Sequence, residues 1–158
     1  MKPQLFQNKL IVKKSPIDGY GVFADKYINT GEIVEECYVL VTQGGDKGMT
    51  DYYFDADGDY GVLLGYGSIY NHSDSPNTSY TFDTKNGVAT INATRMIQKG
   101  EEVFISYGSN WFGDRGLKPK KPSLWWRILN PATSIFMRGF IGCVLLLGGI
   151  HVLKMFLA

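Results

Sequence analysis

Short apolar and aromatic runs alternate with polar, glycine-bearing turns over residues 9–113, and no long 3.6-residue period appears there. Leu10-Ile11-Val12 and Tyr20 to Ala24 read as strands around the turn signal Ser15-Pro16-Ile17-Asp18-Gly19. Glu32 to Thr42, rich in Val, Ile and Tyr, is predicted to be the longest early strand. Asp51 to Leu64 reads as a hairpin around Asp57-Gly58. Ser79 to Phe82 and Val88 to Thr94 flank a second turn, where Asn86-Gly87 favours positive φ. One pattern occurs twice: Ile28-x-x-Gly31-Glu32-x-Val34 and Ile97-x-x-Gly100-Glu101-x-Val103. It reads as one turn solution used twice, with glycine in a left-handed conformation ahead of a strand. The pattern predicts a mostly β domain in which helix is minor.

The character changes after Phe112. Residues 114–132 form a basic, proline-bearing linker that includes the Trp-rich segment Leu124-Trp125-Trp126-Arg127, and residues 133–158 are predominantly apolar. Ile135 to Ala158 supplies 24 residues, where a membrane-spanning helix needs about 20. Arg138 and Lys154 lie where they can snorkel, and the tryptophans beside Lys118, Lys120 and Lys121 fit an interfacial belt. The expectation is a single C-terminal hydrophobic helix that tail-anchors a cytosolic or nuclear-side domain. A helix packed on the domain, or one lying in the interface, is disfavoured because its apolar residues run all round.

Composition fits this division. The chain is 44% hydrophobic with 19 glycines, enough for a core with frequent turns. Its net charge of +1 hides a split: residues 1–113 hold 9 Lys+Arg against 14 Asp+Glu (net −5), while residues 114–158 hold 7 against 1 (net +6). An acidic globular part does not suit nucleic-acid phosphates; it suits a basic peptide. Cys37 and Cys143 are too few for a zinc site and are not expected to pair. The N-terminal residues carry no apolar run of the secretory kind.

Two polar islands carry the candidate chemistry: Asn71-His72-Ser73-x-x-Pro76-Asn77 and Glu101-Glu102-Val103-Phe104-Ile105-Ser106-Tyr107-Gly108. With Gly19-Tyr20-Gly21-Val22-Phe23-Ala24, they resemble the motif set of SET-domain protein-lysine methyltransferases. The resemblance covers residues 9–113. It is nearest to the small free-standing SET enzymes of large algal DNA viruses, through Ile11-Val12-Lys13-Lys14-Ser15-Pro16 and Glu35-Glu36-Cys37. It implies a fold of small sheets around a knot-like crossing, with the C-terminal strand near the Asn71 loop. It also implies S-adenosylmethionine as methyl donor and a lysine on a protein, a histone tail favoured, as acceptor. Tyr107 matches the catalytic tyrosine. Tyr20, Gly21, Asn71, His72 and Tyr107 match donor-binding positions, and Tyr20, Tyr52, Tyr107 and Trp111 the lysine channel. Trp111 stands where many relatives carry Tyr or Phe, so the number of methyl groups added is not fixed by the pattern. No cysteine-rich flank is present, so Asn110-Trp111-Phe112 or part of the linker is expected to close the channel.

Other readings of these residues carry less. Methyl transfer to an amine needs alignment in a dry channel, with neither metal nor covalent nucleophile. His72 has only His151 as a fellow histidine, so no metal is expected. Gly19-x-Gly21 lacks a third glycine and a following βαβ unit, which excludes a dinucleotide fold. Asp55-Ala56-Asp57-Gly58-Asp59 has the wrong spacing for a calcium loop. Glu101 and Glu102, adjacent in sequence, point to opposite faces and read as structural. The competing function is a catalytically silent adaptor of the same fold, anchored in a membrane. Self-association of the tail is open.

Overall fold

The computed structural model describes residues 5–56 and 58–123. The expected C-terminal helix and interfacial tryptophans lie outside the described residues. Chain contacts divide the molecule into Met1–Lys121 and Pro122–Ala158. Among the described residues no helix is long and apolar enough to cross a membrane.

Among the described residues of the first unit, nine strands form three small sheets. Strands β1 (Leu10–Lys14) and β2 (Tyr20–Ala24) pair antiparallel across the Ser15–Gly19 turn, where Gly19 has φ 46°. The central strand β3 (Ile33–Thr42) pairs with two partners. Its first half lies against β8 (Val88–Ala93) and its second against β5 (Asp59–Leu63). Adding β4 (Tyr53–Ala56) and β7 (Thr78–Asp83) gives a five-stranded sheet in the order β4-β5-β3-β8-β7. The two expected hairpins are β4–β5 and β7–β8. In the latter, Gly87 has φ 64° and Asn86 Nδ2 donates to Asp83 Oδ2 at 2.7 Å, which fixes the loop.

The third sheet pairs β6 (Asn71–His72) with β9 (Phe104–Ile105) in parallel. Parallel strands need a crossover connection, and here the β7–β8 hairpin supplies it. Asn77 holds the crossing together: its Nδ2 donates to Glu102 O at 2.8 Å and its Oδ1 accepts from Phe104 N at 2.7 Å. Thr78 Oγ1 donates to Phe104 O at 2.7 Å. Helix is minor among the described residues: a 3-10 helix at Lys47–Tyr52 and the four-residue α1 (Trp111–Asp114).

The repeated sequence pattern folds into two copies of one turn that bond to each other. Gly31 and Gly100 have φ 82° and 83°. The Glu32 and Glu101 carboxylates each accept from the backbone N–H three residues earlier, both at 2.9 Å. Ile28 and Ile97 exchange backbone hydrogen bonds of 3.0 and 2.9 Å, and both are fully buried. Gly31 N donates to Ala93 O at 2.8 Å, and Gly100 N donates to Ala24 O at 2.7 Å. The two turns are therefore related by an approximate two-fold arrangement.

Val22, Ala24, Val34, Leu63, Ile91, Val103 and Ile105 join the two isoleucines in one core. Cys37 is buried there as a free thiol, and burial pushes its pKa up to about 12, so it stays protonated. Glu35 is also buried, a costly position for a carboxylate unless it is bonded. Its Oε2 accepts from Tyr70 Oη at 2.8 Å and its Oε1 from Tyr66 N at 3.0 Å. Tyr70→Phe would leave that carboxylate short of a donor. Chemical denaturation should show a loss of about 1–3 kcal/mol, with the m-value unchanged.

Candidate active site

The site forms where the β1–β2 turn, β6 and the segments on either side of β9 meet. Asn71 joins the turn to the segment that leads into β9. Its Nδ2 donates to Tyr20 O at 3.2 Å, to Asp18 O at 3.3 Å and to Glu102 Oε1 at 2.8 Å. Glu102, buried, also accepts from Ser15 Oγ at 3.0 Å. A Cβ on Gly21 would meet Glu102 Oε1 and lie 3.0 Å from Asn71 Nδ2. The absent side chain at Gly21 therefore makes room for the Asn71–Glu102 bond. Gly19 differs, because a Cβ there would meet nothing within 4 Å. Glu101 turns the other way, toward Asn77, Gln98 and Arg95, with Arg95 at 2.6 Å.

His72 fixes Tyr107 through its ring. Nδ1 accepts from Tyr107 N at 3.1 Å, so Nε2 carries the hydrogen and donates to Asp74 Oδ1 at 3.2 Å. That bond holds the Asp74 carboxyl below its ordinary range. Tyr107 Oη donates to Tyr70 O at 2.8 Å. Burial, and after it the nearby Asp18 carboxylate, pushes the Tyr107 phenol up to about 12. The ring is packed among aromatics, with centroids 4.9 Å from Trp111, 5.3 Å from His72 and 6.1 Å from Phe112.

Two cavities flank this cluster. The larger, about 530 Å³, is lined by Ile17, Gly19, Tyr20, Asn71, His72 and Phe112 among others. That falls within the ~300–1,000 Å³ of small-molecule sites. The smaller, about 230 Å³, is lined by Tyr53, Phe54, Asp55, Tyr70 and Tyr80 among others. Asp51, Tyr52, Ser68, Tyr107 and Trp111 stand in the walls of both. Of the residues singled out from the sequence, Tyr52, Tyr107 and Trp111 are thus brought together between the cavities. Tyr20 is 57% exposed and lines the larger cavity, and Gly21 lines neither.

The sequence expects part of the linker at the site without saying which of its residues reach it. Leu117, Lys118 and Lys120 reach the larger cavity from the linker, and Lys120 Nζ pairs with Asp18 Oδ2 at 2.8 Å. This pair is the main reason the Asp18 carboxyl lies below its ordinary range. Nothing in the sequence singles out Arg115. Lys118 and Lys120, which fit an interfacial belt by sequence, line this cavity.

A SET domain family model matches residues 19–108. A Schizosaccharomyces pombe histone-lysine N-methyltransferase specific for H3 lysine-37 is 30% identical over 123 residues, 72% of this chain and 84% of that protein. Among solved structures, a Plasmodium falciparum protein provisionally named as a histone methyltransferase is 35% identical. It superposes with a TM-score of 0.60, covering 67% of this chain and 98% of its own. A humanized mutant of the Chaetomium thermophilum Polycomb Repressive Complex 2 shares the fold, with 23% identity and a TM-score of 0.55 over 66% of this chain and 15% of that one. The chain belongs to the SET-domain family. Its enzyme class is that of the protein-lysine methyltransferases, which generally use S-adenosylmethionine.

Burial raises the Glu102 pKa above its ordinary 4.5, against the lowering bonds from Asn71 and Ser15. The folded state therefore binds this proton more tightly than the unfolded state, and this group's contribution falls as pH rises through that window. Asp18, Glu32, Asp74 and Asp83 are shifted down and act in the opposite sense. The difference between wild type and Glu102→Gln isolates the buried group. Urea midpoints measured across acidic pH should show Glu102→Gln gaining on wild type as pH rises.

Proposed function

We propose that this chain transfers a methyl group from S-adenosylmethionine to a lysine side chain in a histone tail or similarly basic peptide. The observation that carries the reading is the wall of Tyr52, Tyr107 and Trp111 shared by the two cavities. An in-line displacement needs donor and acceptor to approach one point from opposite sides, and a shared wall provides such a point.

The larger cavity fits the donor. The space over Gly19 admits a ligand against the backbone. Ile17, Phe112 and Leu117 offer apolar surface for a flat ring. Asp18 beside Lys118 and Lys120 brings both signs of charge, as a zwitterionic amino-acid group requires. Tyr20, Gly21, Asn71, His72 and Tyr107 are the residues we assign to holding it, Gly21 and Asn71 by shaping the loop. When bound, S-adenosylmethionine supplies a methyl carbon on a cationic sulfur that keeps the C–S electron pair as the amine nitrogen attacks.

The chain's own residues prepare the acceptor. Asp55 lines the smaller cavity and favours an incoming ammonium, while the charge of Asp51 is matched by Arg115. The aromatic walls then strip water from it, which lowers a lysine pKa from its reference of about 10.4 and yields the neutral nucleophile. Tyr107, held by the His72 ring and by Tyr70 O, stays a neutral phenol through this range and orients the reacting groups. The proton lost by the methylated amine passes to solvent.

Two finer parts belong to the same proposal. Kinship with the small SET enzymes of algal viruses rests on the N-terminal motifs and the compact domain. Attachment to a membrane rests on the hydrophobic run of residues 135–158, with the substrate then held near that membrane.

The full chain in detergent, given tritium-labelled S-adenosylmethionine with core histones and a lysine-peptide library, should label a lysine. Tyr107→Phe should lower kcat by about 10²–10³-fold, the scale of losing one preorganised polar group, while binding the donor. Donor binding without transfer to any lysine would identify an adaptor instead. Separately, the full chain should float with lipid vesicles after an alkaline carbonate wash; recovery in the soluble fraction would sink the anchor.

A further inference from the structure

Arg115 lies outside the residues matched by the family model, yet each of its three guanidinium nitrogens donates a hydrogen bond across the site. Its Nε donates to Asp51 Oδ1 at 2.8 Å and its Nη2 to Thr50 O at 2.9 Å. Its Nη1 donates to Trp111 O at 3.1 Å, and the guanidinium stacks over the Trp111 ring at 4.1 Å from the centroid. Thr50 and Asp51 belong to the 3-10 helix Lys47–Tyr52, and Trp111 opens α1. These two elements lie far apart in sequence. Neither the 3-10 helix nor α1 has a buried residue.

We propose that Arg115 is a positioning residue that clasps Tyr52 and Trp111 to a fixed separation, setting the aperture through which the acceptor amine reaches Tyr107. The inference rests on the methyltransfer reading for its catalytic consequence; the clasp itself stands on geometry. A guanidinium suits the task because its rigid fork bonds a carboxylate and carbonyls while its face stacks on an aromatic ring. A lysine at the same position keeps the charge but loses the fork and the stack. The aperture in turn governs how many methyl groups the amine can carry when it re-enters, so Arg115 acts on product state as well as on binding.

The full chain is compared as wild type, Arg115→Ala, Arg115→Lys and Asp51→Asn. Amide hydrogen exchange is read first, because it needs no turnover. Arg115→Ala should raise exchange in residues 47–52 and 111–117 together. Unchanged protection in residues 47–52 would overturn the clasp, whether or not the chain proves to be an enzyme. With an active wild type, Arg115→Ala should raise the peptide KM by about tenfold or more, below the ~10²-fold scale of a one-ångström misplacement. It should also raise the share of multiply methylated product. Arg115→Lys should recover part of the KM but not the product ratio. Asp51→Asn combined with Arg115→Ala should be no worse than the poorer single variant. A fall in kcat alone, with KM and product ratio unchanged, would reduce Arg115 to a structural residue and overturn the proposal. A wild type that exchanges as expected but transfers no methyl group would count against the methyltransfer reading and leave the clasp standing.

Discussion

The bond from Asn71 Nδ2 to Glu102 Oε1, 2.8 Å long and buried, is the constraint on which the site depends. It joins a two-residue strand to a segment from the far end of the domain. The same amide group reaches the carbonyls of Asp18 and Tyr20. One side chain therefore brings together three stretches that no single sheet contains. The price is a carboxylate in the core, relieved by Asn71 and Ser15 and permitted by the missing side chain at Gly21. The two halves of the site can therefore be no looser than this contact.

Around it, polar side chains do what continuous strands do in larger folds. With sheets this small, backbone ladders alone leave many groups to be satisfied. Asn77 and Thr78 bond the backbone of residues 102–104, and the His72 ring accepts from the backbone of Tyr107. These are side chain-to-backbone bonds between segments more than twenty residues apart. Tyr70 serves twice: its hydroxyl satisfies the buried Glu35, and its carbonyl accepts from Tyr107. Core and site share this residue, so disorder in one is felt in the other.

Much of the architecture is legible in the sequence because it is local. Strand lengths, the Asn86-Gly87 turn and the glycines at 31 and 100 follow from residue type within a few positions. That the two Ile-x-x-Gly-Glu turns bond to each other is not local, and the repeated pattern alone implied only that they are alike. The same limit applies at the site. Tyr107, Asn71 and His72 stand out because each sits in a contiguous polar island, and Tyr52 and Trp111 because they are aromatic near it. Arg115 and Asp51 are 64 residues apart, and each is unremarkable in its own surroundings. Gly21 stands out only as part of a motif, and its role in admitting the Glu102 carboxylate depends on a residue 81 positions away. Tyr20, matched by resemblance to both the donor site and the lysine channel, stands in the wall of the larger cavity.

The parallel pairing of Asn71–His72 with Phe104–Ile105 has a further consequence for how the protein is made. Its contacts span much of the domain, and such long-range closure is slow compared with hairpin formation. During synthesis the β1–β2 and β4–β5 hairpins can form as they emerge, but β6 must wait for the C-terminal segment. Tyr107 and Trp111 are among the last residues of the domain to leave the ribosome. The nascent chain thus acquires its hairpins first and the β6–β9 pairing, with the Tyr107 cluster, last, so a chain arrested short of residue 104 would be only partly folded.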